Sequence, residues 1–153
     1  KIKLVIVGGG PHEKILKDLV LQLDLGSNVQ FMGYVATDEK EKLMASSNAL
    51  VFPSLCEGFG LVILEAFDKS RPVLVSNIRP MSDIVTHENN GFVIDPHDEK
   101  QWADHLLRMI KDPQEATRMG QNGNQLLKTD YSQESMYKKI LKMYQQVIQQ
   151  KTS

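Results

Sequence analysis

The sequence predicts an α/β fold in which helices flank a doubly wound parallel sheet. Strand-like and helix-like patterns alternate along the whole 153-residue chain. The strand-like runs are apolar and rich in β-branched residues, as expected of parallel strands that are buried on both faces. We predict five strands, which lie near Ile2, Val29, Ala49, Val73 and Phe92. In such a fold the ligand binds at the carboxyl ends of the strands.

The first strand-turn-helix segment begins at the amino end of the chain. Residues 2–7 form an apolar run, and the Gly-Gly-Gly-Pro sequence at residues 8–11 ends it. Pro11 is suited to the first turn of the helix that follows, and Gly26 is suited to closing that helix. A cofactor-binding turn and an ordinary strand-to-helix connection both fit, because this turn is not the Gly-x-Gly-x-x-Gly of dinucleotide-binding proteins.

The second strand-turn-helix segment starts with a short strand around residues 29–31, which Gly33 ends. Asp38 and Glu41 have the spacing of a capping box and predict the start of a helix that ends near Ser47. An NAD-dependent oxidoreductase would need an acidic residue at the end of this second strand to bind the ribose. The strand offers none, which argues against that function.

The most informative stretch lies between the third strand and the helix that follows it. Gly58 and Gly60 allow a sharp turn there and let a ligand approach the backbone closely. The amides of Gly60, Leu61 and Val62 begin the helix, have no partner within it and lie at the positive end of its dipole. This stretch is therefore suited to binding a phosphate group.

Two carboxylates frame this turn. Glu57 precedes it, and Glu65 lies about one and a half turns into the helix. A carboxylate accepts hydrogen bonds from neighbouring hydroxyl groups, so each of the two suits a sugar ring rather than a phosphate. The alternative without a binding function is an ordinary strand-turn-helix with two solvated glutamates.

The sequence Pro-Ser-x-x-Glu-Gly-Phe-Gly-Leu-x-x-x-Glu-Ala at residues 53–66 resembles the Glu-x7-Glu signature of retaining glycosyltransferases of family 4. Those enzymes have two Rossmann-like domains, the GT-B architecture, and the signature belongs to their C-terminal, nucleotide-sugar-binding domain. The resemblance extends from Lys1 to about Gln150. It implies hexosyl transfer from a nucleoside-diphosphate sugar to an acceptor hydroxyl, with retention of configuration.

The resemblance also implies a role for particular residues. Glu57 would hold the donor sugar together with the backbone of residues 58–60, and it is the catalytic candidate. Glu65 would bond the ribose, residues 33–35 would line the base pocket, and the turn at residues 8–11 would lie near the phosphates. The implied donor-binding residues are Gly8, Gly9, Gly33, Tyr34, Val35, Glu57, Gly58, Phe59, Gly60, Leu61, Val62 and Glu65.

Two positions depart from the family pattern. Ser70 stands where the family usually has a glycine, and Arg79 stands where a second glycine is common. Arg79 could reach the donor phosphates, but we expect it to be solvated. The family also carries an upstream Arg and Lys pair that neutralises the donor diphosphate, and no stretch of this chain supplies it. Because such stabilisation is mostly electrostatic, we expect this chain alone to be inactive.

The start at Lys1, directly before a strand, looks like that of an excised segment. We therefore expect residues 1–153 to be a donor nucleotide-sugar-binding domain that is truncated on its N-terminal side and lacks the acceptor domain. That acceptor domain of the same parent chain and the nucleotide-sugar donor are the expected partners. Peripheral membrane contact through the missing half stays open.

The remaining residues predict helices. Asp98, Asp112 and Ser132 are expected to cap three successive helices, and Glu115 is expected to complete the capping box of the second. Gly120 and Gly123 give that second helix a thin face that allows close packing. The last helix carries a broad apolar stripe, which by the resemblance packs on the other domain; a dimer contact is the alternative.

The histidines and the cysteine give no sign of a metal site. His12, His97 and His105 have no metal-ligand spacing with each other or with Cys56, so we predict no structural metal. The resemblance implies no metal and no cofactor, since the nucleoside-diphosphate sugar is a substrate. His87 lies in a turn before the last strand, where an exposed loop histidine is the expectation and a catalytic one the alternative.

The composition excludes several classes of protein. The net charge of −1 gives no indication of nucleic-acid binding, and the single cysteine excludes an internal disulfide. No apolar run reaches the length of a membrane span, and we expect a cytoplasmic protein. Two further alternatives stay open: a nucleotide-sugar epimerase, which shares the architecture but not the Glu-Gly-Phe-Gly helix start, and a donor-binding or docking module that has lost catalysis.

Overall fold

The structure is a computed structural model that describes residues 2–151. These residues divide into two compact units, the first reaching Leu43 and the second beginning at Met44. The strand pairs in both units are parallel. The predicted alternation of strands and helices is thereby confirmed, and all five strands lie where the sequence predicts them.

The first unit is a strand-helix-strand arrangement followed by the start of another helix. Its elements are β1 (Leu4–Val7), α1 (Glu13–Gln22), β2 (Val29–Gly33) and α2 (Thr37–Ser46), the last of which continues into the second unit. Strand β1 pairs with β2 from Leu4 opposite Val29 onward, with an irregularity between Ile6 and Val7. This pairing places the glycine turn after β1 beside the end of β2.

Three predicted helix boundaries in this unit are wrong. Pro11 lies in the turn before α1, whose N-cap is His12, and Gly26 does not close the helix. Leu23 is the C-cap, and Asp24 then takes the left-handed conformation at φ 52°. Asp is one of the few residues that tolerate this conformation, so the helix ends without a glycine. The Asp38 capping box is also wrong, because α2 begins one residue earlier.

The second unit contains a three-stranded sheet in the order β3-β4-β5 and most of the helices. Its elements are β3 (Leu50–Phe52), α3 (Leu61–Asp68), β4 (Val73–Ser76), α4 (Met81–Ile84), β5 (Gly91–Ile94), α5 (Glu99–Lys111), α6 (Pro113–Asp130) and α7 (Gln133–Lys151). The central strand β4 is fully buried, as expected of a parallel strand covered on both faces.

Side chains alternate between two apolar clusters along β4. Val73 and Val75 belong to a cluster with Phe67 of α3, whereas Leu74 belongs to a cluster with Met109 of α5 and Met119 of α6. Successive residues of a strand point to opposite faces, so the two clusters lie on the two sides of the sheet. This is the layered α/β architecture that the sequence predicts.

The three predicted N-caps are present. The side-chain oxygens of Asp98 and Asp112 accept hydrogen bonds from the amides three residues later, at 3.0 and 2.9 Å, and the Ser132 hydroxyl does so at 3.1 Å. The box at Asp112 is only half formed. The Glu115 carboxylate binds the Arg108 guanidinium, with two oxygen-to-nitrogen distances of 2.6 and 2.8 Å.

Helix α6 packs closely on α3 through the two glycines that the sequence singles out. A methyl group at Gly123 would overlap the Phe67 ring, and one at Gly120 would overlap the Ser70 carbonyl oxygen. The Asn124 amide nitrogen donates to the carbonyl oxygens of Phe67 and Asp68, at 2.9 and 3.1 Å. Helix α6 is thus fixed to the C-terminal end of α3.

The apolar stripe predicted on α7 is largely exposed. Tyr137 and Tyr144 are 65% and 67% accessible, and Ile148 is 62% accessible. Among the helices that the structure describes within residues 2–151, none has the length and apolar character of a membrane span.

We predict that Gly120→Ala and Gly123→Ala destabilise the fold, although alanine favours a helix over glycine by about 1 kcal/mol. The added methyl group meets backbone at one site and the fully buried Phe67 ring at the other, and overpacking costs about 1–3 kcal/mol. We expect a net loss of up to about 2 kcal/mol in the free energy of unfolding by urea.

The matched control is Gly58→Ala in the same unit, because nothing lies within 4 Å of a methyl group at that position. Unchanged or higher stability in both helix variants would contradict the close packing of α6 on α3.

Candidate functional site

The turn between β3 and α3 is built around a glycine in the left-handed conformation. Gly60 is the N-cap of α3, with φ 84°, and its carbonyl oxygen accepts from the Ile63 amide at 2.9 Å. A side chain at this position would be strained, and its Cβ would lie only 3.1 Å from the Ile63 Cδ1 atom. The helix therefore starts at Leu61, and its first amides have no acceptor within α3.

Glu57 folds back over this turn. Its Oε1 atom accepts a hydrogen bond from the Gly58 amide at 3.0 Å, and its Cγ atom lies 3.7 Å from the Cβ position of Gly60. The residue is half-buried. An ionised carboxylate has about four acceptor positions, so this one bond leaves capacity for hydroxyl groups.

Glu65 lies on α3, one turn after Leu61. Residues four apart share a face of a helix, so Glu65 follows the exposed Leu61 along the same side. The opposite side of the helix is formed by Ile63, Ala66 and Phe67, which are fully buried. Glu57 thus precedes α3, and Glu65 lies in the second half of that helix, on the same side as Leu61.

Phe59 lies between the two glycines of the turn. Its ring is 43% exposed and makes an edge-to-face contact with Tyr131, with 6.3 Å between ring centroids and 64° between ring planes. Nearer the strand, the Ser54 hydroxyl donates to the Cys56 carbonyl at 2.8 Å. Tyr131 is a contributor to this region that the sequence did not reveal, because it is far away along the chain.

The candidates of the first unit form a cluster of their own. Gly8 and Gly33 both have positive φ angles, of 103° and 61°, and the Gly8 amide donates to the Gly33 carbonyl at 2.7 Å. The Tyr34 hydroxyl donates to the Gly9 carbonyl at 3.1 Å. Tyr34 is 87% exposed, and Val35 beside it is half-buried.

The two departures from the family pattern have different outcomes. Ser70 has φ 53°, so it adopts the left-handed conformation that explains a glycine at this position. The Arg79 side chain is 86% exposed, and its Nε atom lies 3.4 Å from the Asp83 carboxylate. This exposure agrees with the expectation of a solvated arginine.

His87 has a structural contact that the sequence did not predict. Its Nδ1 atom accepts from the Val93 amide at 3.1 Å, and its ring lies 5.6 Å from the His105 ring. It also bridges Gly91, the first residue of β5. His87 therefore lies toward the amino end of that strand, whereas the turn at Glu57 follows the carboxyl end of β3.

A cleft of about 830 Å³ lies between α5 and α6, away from the Glu57 turn. Its cations are Arg108, Lys111 and Arg118, which makes it the rival site for an anion. The Arg108 guanidinium, however, already binds the carboxylates of Glu88 and Glu115, at 2.5 and 2.6 Å. The charge of Arg108 is thereby compensated.

Within residues 2–151, no group of three or more His, Cys, Asp or Glu side chains is arranged to hold a metal ion. The candidate site therefore consists of backbone amides, glycines and two carboxylates. Such a set suits a ligand that carries phosphate and sugar hydroxyl groups.

The fold and this turn define the class of protein as a Rossmann-like domain of the glycosyltransferase type. The family described as Glycosyl transferases group 1 matches residues 1–126. The chain belongs to this family.

Comparison with individual proteins agrees with this assignment. The chain is 33% identical over 142 residues to an uncharacterized glycosyltransferase of Methanocaldococcus jannaschii, a match that covers 93% of this chain and 36% of that protein. It thus spans about a third of the length of this relative.

Two solved structures share the fold. One is the C-terminal domain of a glycosyl transferase group 1 family protein (LpcC) from Francisella tularensis, with a TM-score of 0.78 and 28% identity, covering 86% of this chain and 70% of that one. The other is a TarM mutant of S. aureus in complex with Fondaparinux, alpha-GlcNAc-glycerol and UDP, with a TM-score of 0.83 and 28% identity, covering 93% and 29%. The expected C-terminal GT-B fold is confirmed by these likenesses.

We predict that His105 makes the stability of the protein depend on pH. Burial lowers the pKa of His105, and the positive charges of His87 and Arg108 act in the same direction. The unfolded chain therefore binds this proton more readily than the folded one, so stability falls as pH decreases through about 6.5.

The replacement His105→Phe keeps a ring against Phe92, on which His105 stacks at 4.2 Å, but it cannot titrate. We expect the loss of stability between about pH 7.5 and 5.5 to become smaller in this variant, as measured by urea unfolding. His97→Gln controls for the loss of an exposed histidine. An unchanged pH dependence in His105→Phe would contradict the assignment.

Proposed function

We propose that residues 1–153 are the donor-binding domain of a glycosyltransferase that transfers a hexosyl group from a nucleoside-diphosphate sugar. The observation that carries the proposal is the left-handed Gly60 at the start of α3, with Glu57 folded over it. The partial coverage of the archaeal relative and the likeness to the C-terminal domain of LpcC support the assignment to one half of a larger enzyme.

The phosphates of the donor are proposed to bind at the start of α3. The amides of Gly60, Leu61 and Val62 point away from the helix and carry its positive dipole end. The left-handed conformation of Gly60 forms this turn at a position that has no side chain. This charge stabilises the diphosphate as a leaving group, because negative charge grows on it while the glycosidic bond breaks.

The two glutamates are proposed to hold hydroxyl groups. Glu57, with the backbone of residues 58–60, takes those of the transferred sugar, and Glu65 takes those of the ribose. The bond from the Gly58 amide fixes the orientation of the Glu57 carboxylate, so its remaining lone pairs are directed before the donor binds. Glu57 is therefore the residue closest to the reacting carbon in this proposal.

For the first unit we propose contacts with the nucleotide. The backbone of residues 33–35 contacts the base, and the turn with Gly8 and Gly9 lies near the phosphates. The hydrogen bond between the Gly8 amide and the Gly33 carbonyl holds these two segments together within the unit. The complex of TarM with UDP supports a nucleotide donor.

In the proposed reaction the bond between the sugar C1 atom and the diphosphate oxygen breaks, and a bond from C1 to the acceptor oxygen forms. The acceptor proton leaves, and the nucleoside diphosphate is the second product. We propose retention of configuration, as the signature at residues 53–66 implies. Glu57 acts by positioning and not as a displaced nucleophile, since no acid partner accompanies it in the turn.

The exposed apolar stripe of α7 supports a proposal about the rest of the enzyme. Tyr137, Tyr144 and Ile148 leave a continuous apolar face at helical spacing. We propose that this face packs on the acceptor domain of the parent chain. Such a contact would remove apolar area from water that is exposed in the present chain.

Glu65→Ala tests the donor site directly. We expect calorimetric titration with UDP, GDP and ADP to show binding of one nucleotide by the unchanged chain. The affinity should fall about tenfold or more in the variant, because hydrogen bonds to a charged group contribute about 1.5–3 kcal/mol. The nucleotide that binds identifies the donor class.

Glu99→Ala is the matched control, since Glu99 is an exposed glutamate in the first turn of α5. An equal loss of affinity in both variants would show a general charge effect and contradict the ribose contact. A chain that binds none of the three nucleotides would contradict donor binding by this domain.

A further inference from the structure

The contact between Phe59 and Tyr131 joins the Glu57 turn to the end of α6. Tyr131 is the C-cap of α6, and its amide donates to the Leu127 carbonyl at 3.1 Å. Its side chain packs against the apolar cluster that contains Phe67 and Val75. Burial raises the pKa of the Tyr131 phenol, so the contact with Phe59 is between two uncharged rings at neutral pH.

Tyr131 is held in place by the helix that carries it. Gly120 and Gly123 bring α6 against α3, and Asn124 donates to two carbonyl oxygens at the end of α3. The Tyr131 ring is therefore a fixed point relative to α3. This matters because the candidate phosphate site is the start of that same helix.

Phe59, in contrast, lies in a segment of the backbone with high conformational freedom. Gly58 precedes it and Gly60 follows it, and glycine loses more conformational freedom on ordering than any other residue. A contact from a fixed ring to the one large side chain between these glycines selects a conformation of the turn. The same turn carries Glu57, whose carboxylate is oriented by the neighbouring Gly58 amide.

We propose that Tyr131 is a positioning residue for the donor sugar, which acts through Phe59 on the Glu57 turn. This inference rests on the proposed function, and it concerns a residue outside the Glu-x7-Glu segment. The phosphates and the sugar of the donor then depend on different contacts. The amides of Leu61 and Val62 hold the phosphates whether or not Tyr131 is present, whereas the sugar contacts of residues 57–59 depend on the ring contact.

The test compares a nucleoside-diphosphate sugar with the corresponding nucleoside diphosphate. The pairs are UDP-glucose with UDP, GDP-mannose with GDP, and ADP-glucose with ADP, and affinities are measured by calorimetry on the whole chain. In Tyr131→Leu, which removes the ring but keeps an apolar side chain, we expect the affinity for the sugar nucleotide to fall about three- to tenfold. The affinity for the diphosphate should stay unchanged.

Two further variants make the test specific. Tyr131→Phe keeps the ring and should restore the affinity for the sugar nucleotide. Phe59→Leu should reproduce the effect of Tyr131→Leu, and the double variant should lose no more than either single one, because both remove the same contact. Tyr137→Leu on α7 is the matched control, since it removes an exposed tyrosine.

The outcomes separate the inference from the proposed function. Equal losses for both ligands of a pair, no loss in Tyr131→Leu, or additive losses in the double variant would overturn the positioning role alone. If Tyr131→Leu does not fold, Phe59→Leu decides, because the Phe59 side chain is partly exposed. A wild-type chain that binds none of these ligands would overturn the proposed function, and the inference with it.

Discussion

The left-handed conformation of Gly60 is the constraint on which the candidate site depends. It ends the loop after β3, sets the first residue of α3 and leaves the first amides of that helix without a partner within it. It also brings the backbone close to the Glu57 side chain, which is oriented in turn by the Gly58 amide. One backbone angle thus connects the phosphate-binding and sugar-binding parts of the proposed site.

The packing of the remaining elements of the second unit stabilises this turn. Fully buried β4 separates two apolar clusters, and α3 lies on one of them through Ile63 and Phe67. Helix α6 is brought onto α3 by glycines that leave no room for a side chain. The site itself can therefore consist of glycines, backbone amides and two half-buried carboxylates, because the packing that stabilises it lies in the layer beneath.

Features with a local cause could be predicted from the sequence. The β-branched runs gave all five strands, and the caps at Asp98, Asp112 and Ser132 follow from side chains that reach their own helix. The end of α1 was predicted wrongly, because two nearby residues can both take the left-handed angle. Asp24, rather than Gly26, takes it. Contacts between distant segments, such as that of Phe59 with Tyr131, leave no pattern in a single sequence.

The most direct test of the donor site is an NMR titration of the isotope-labelled chain with UDP, GDP and ADP. We predict that the nucleotide that binds shifts most strongly, within the second unit, the amide signals of Gly58, Gly60, Leu61 and Val62. The strongest shifts could instead fall on Arg108, Lys111 and Arg118 in the cleft between α5 and α6. That result would place the anion site there and contradict the account.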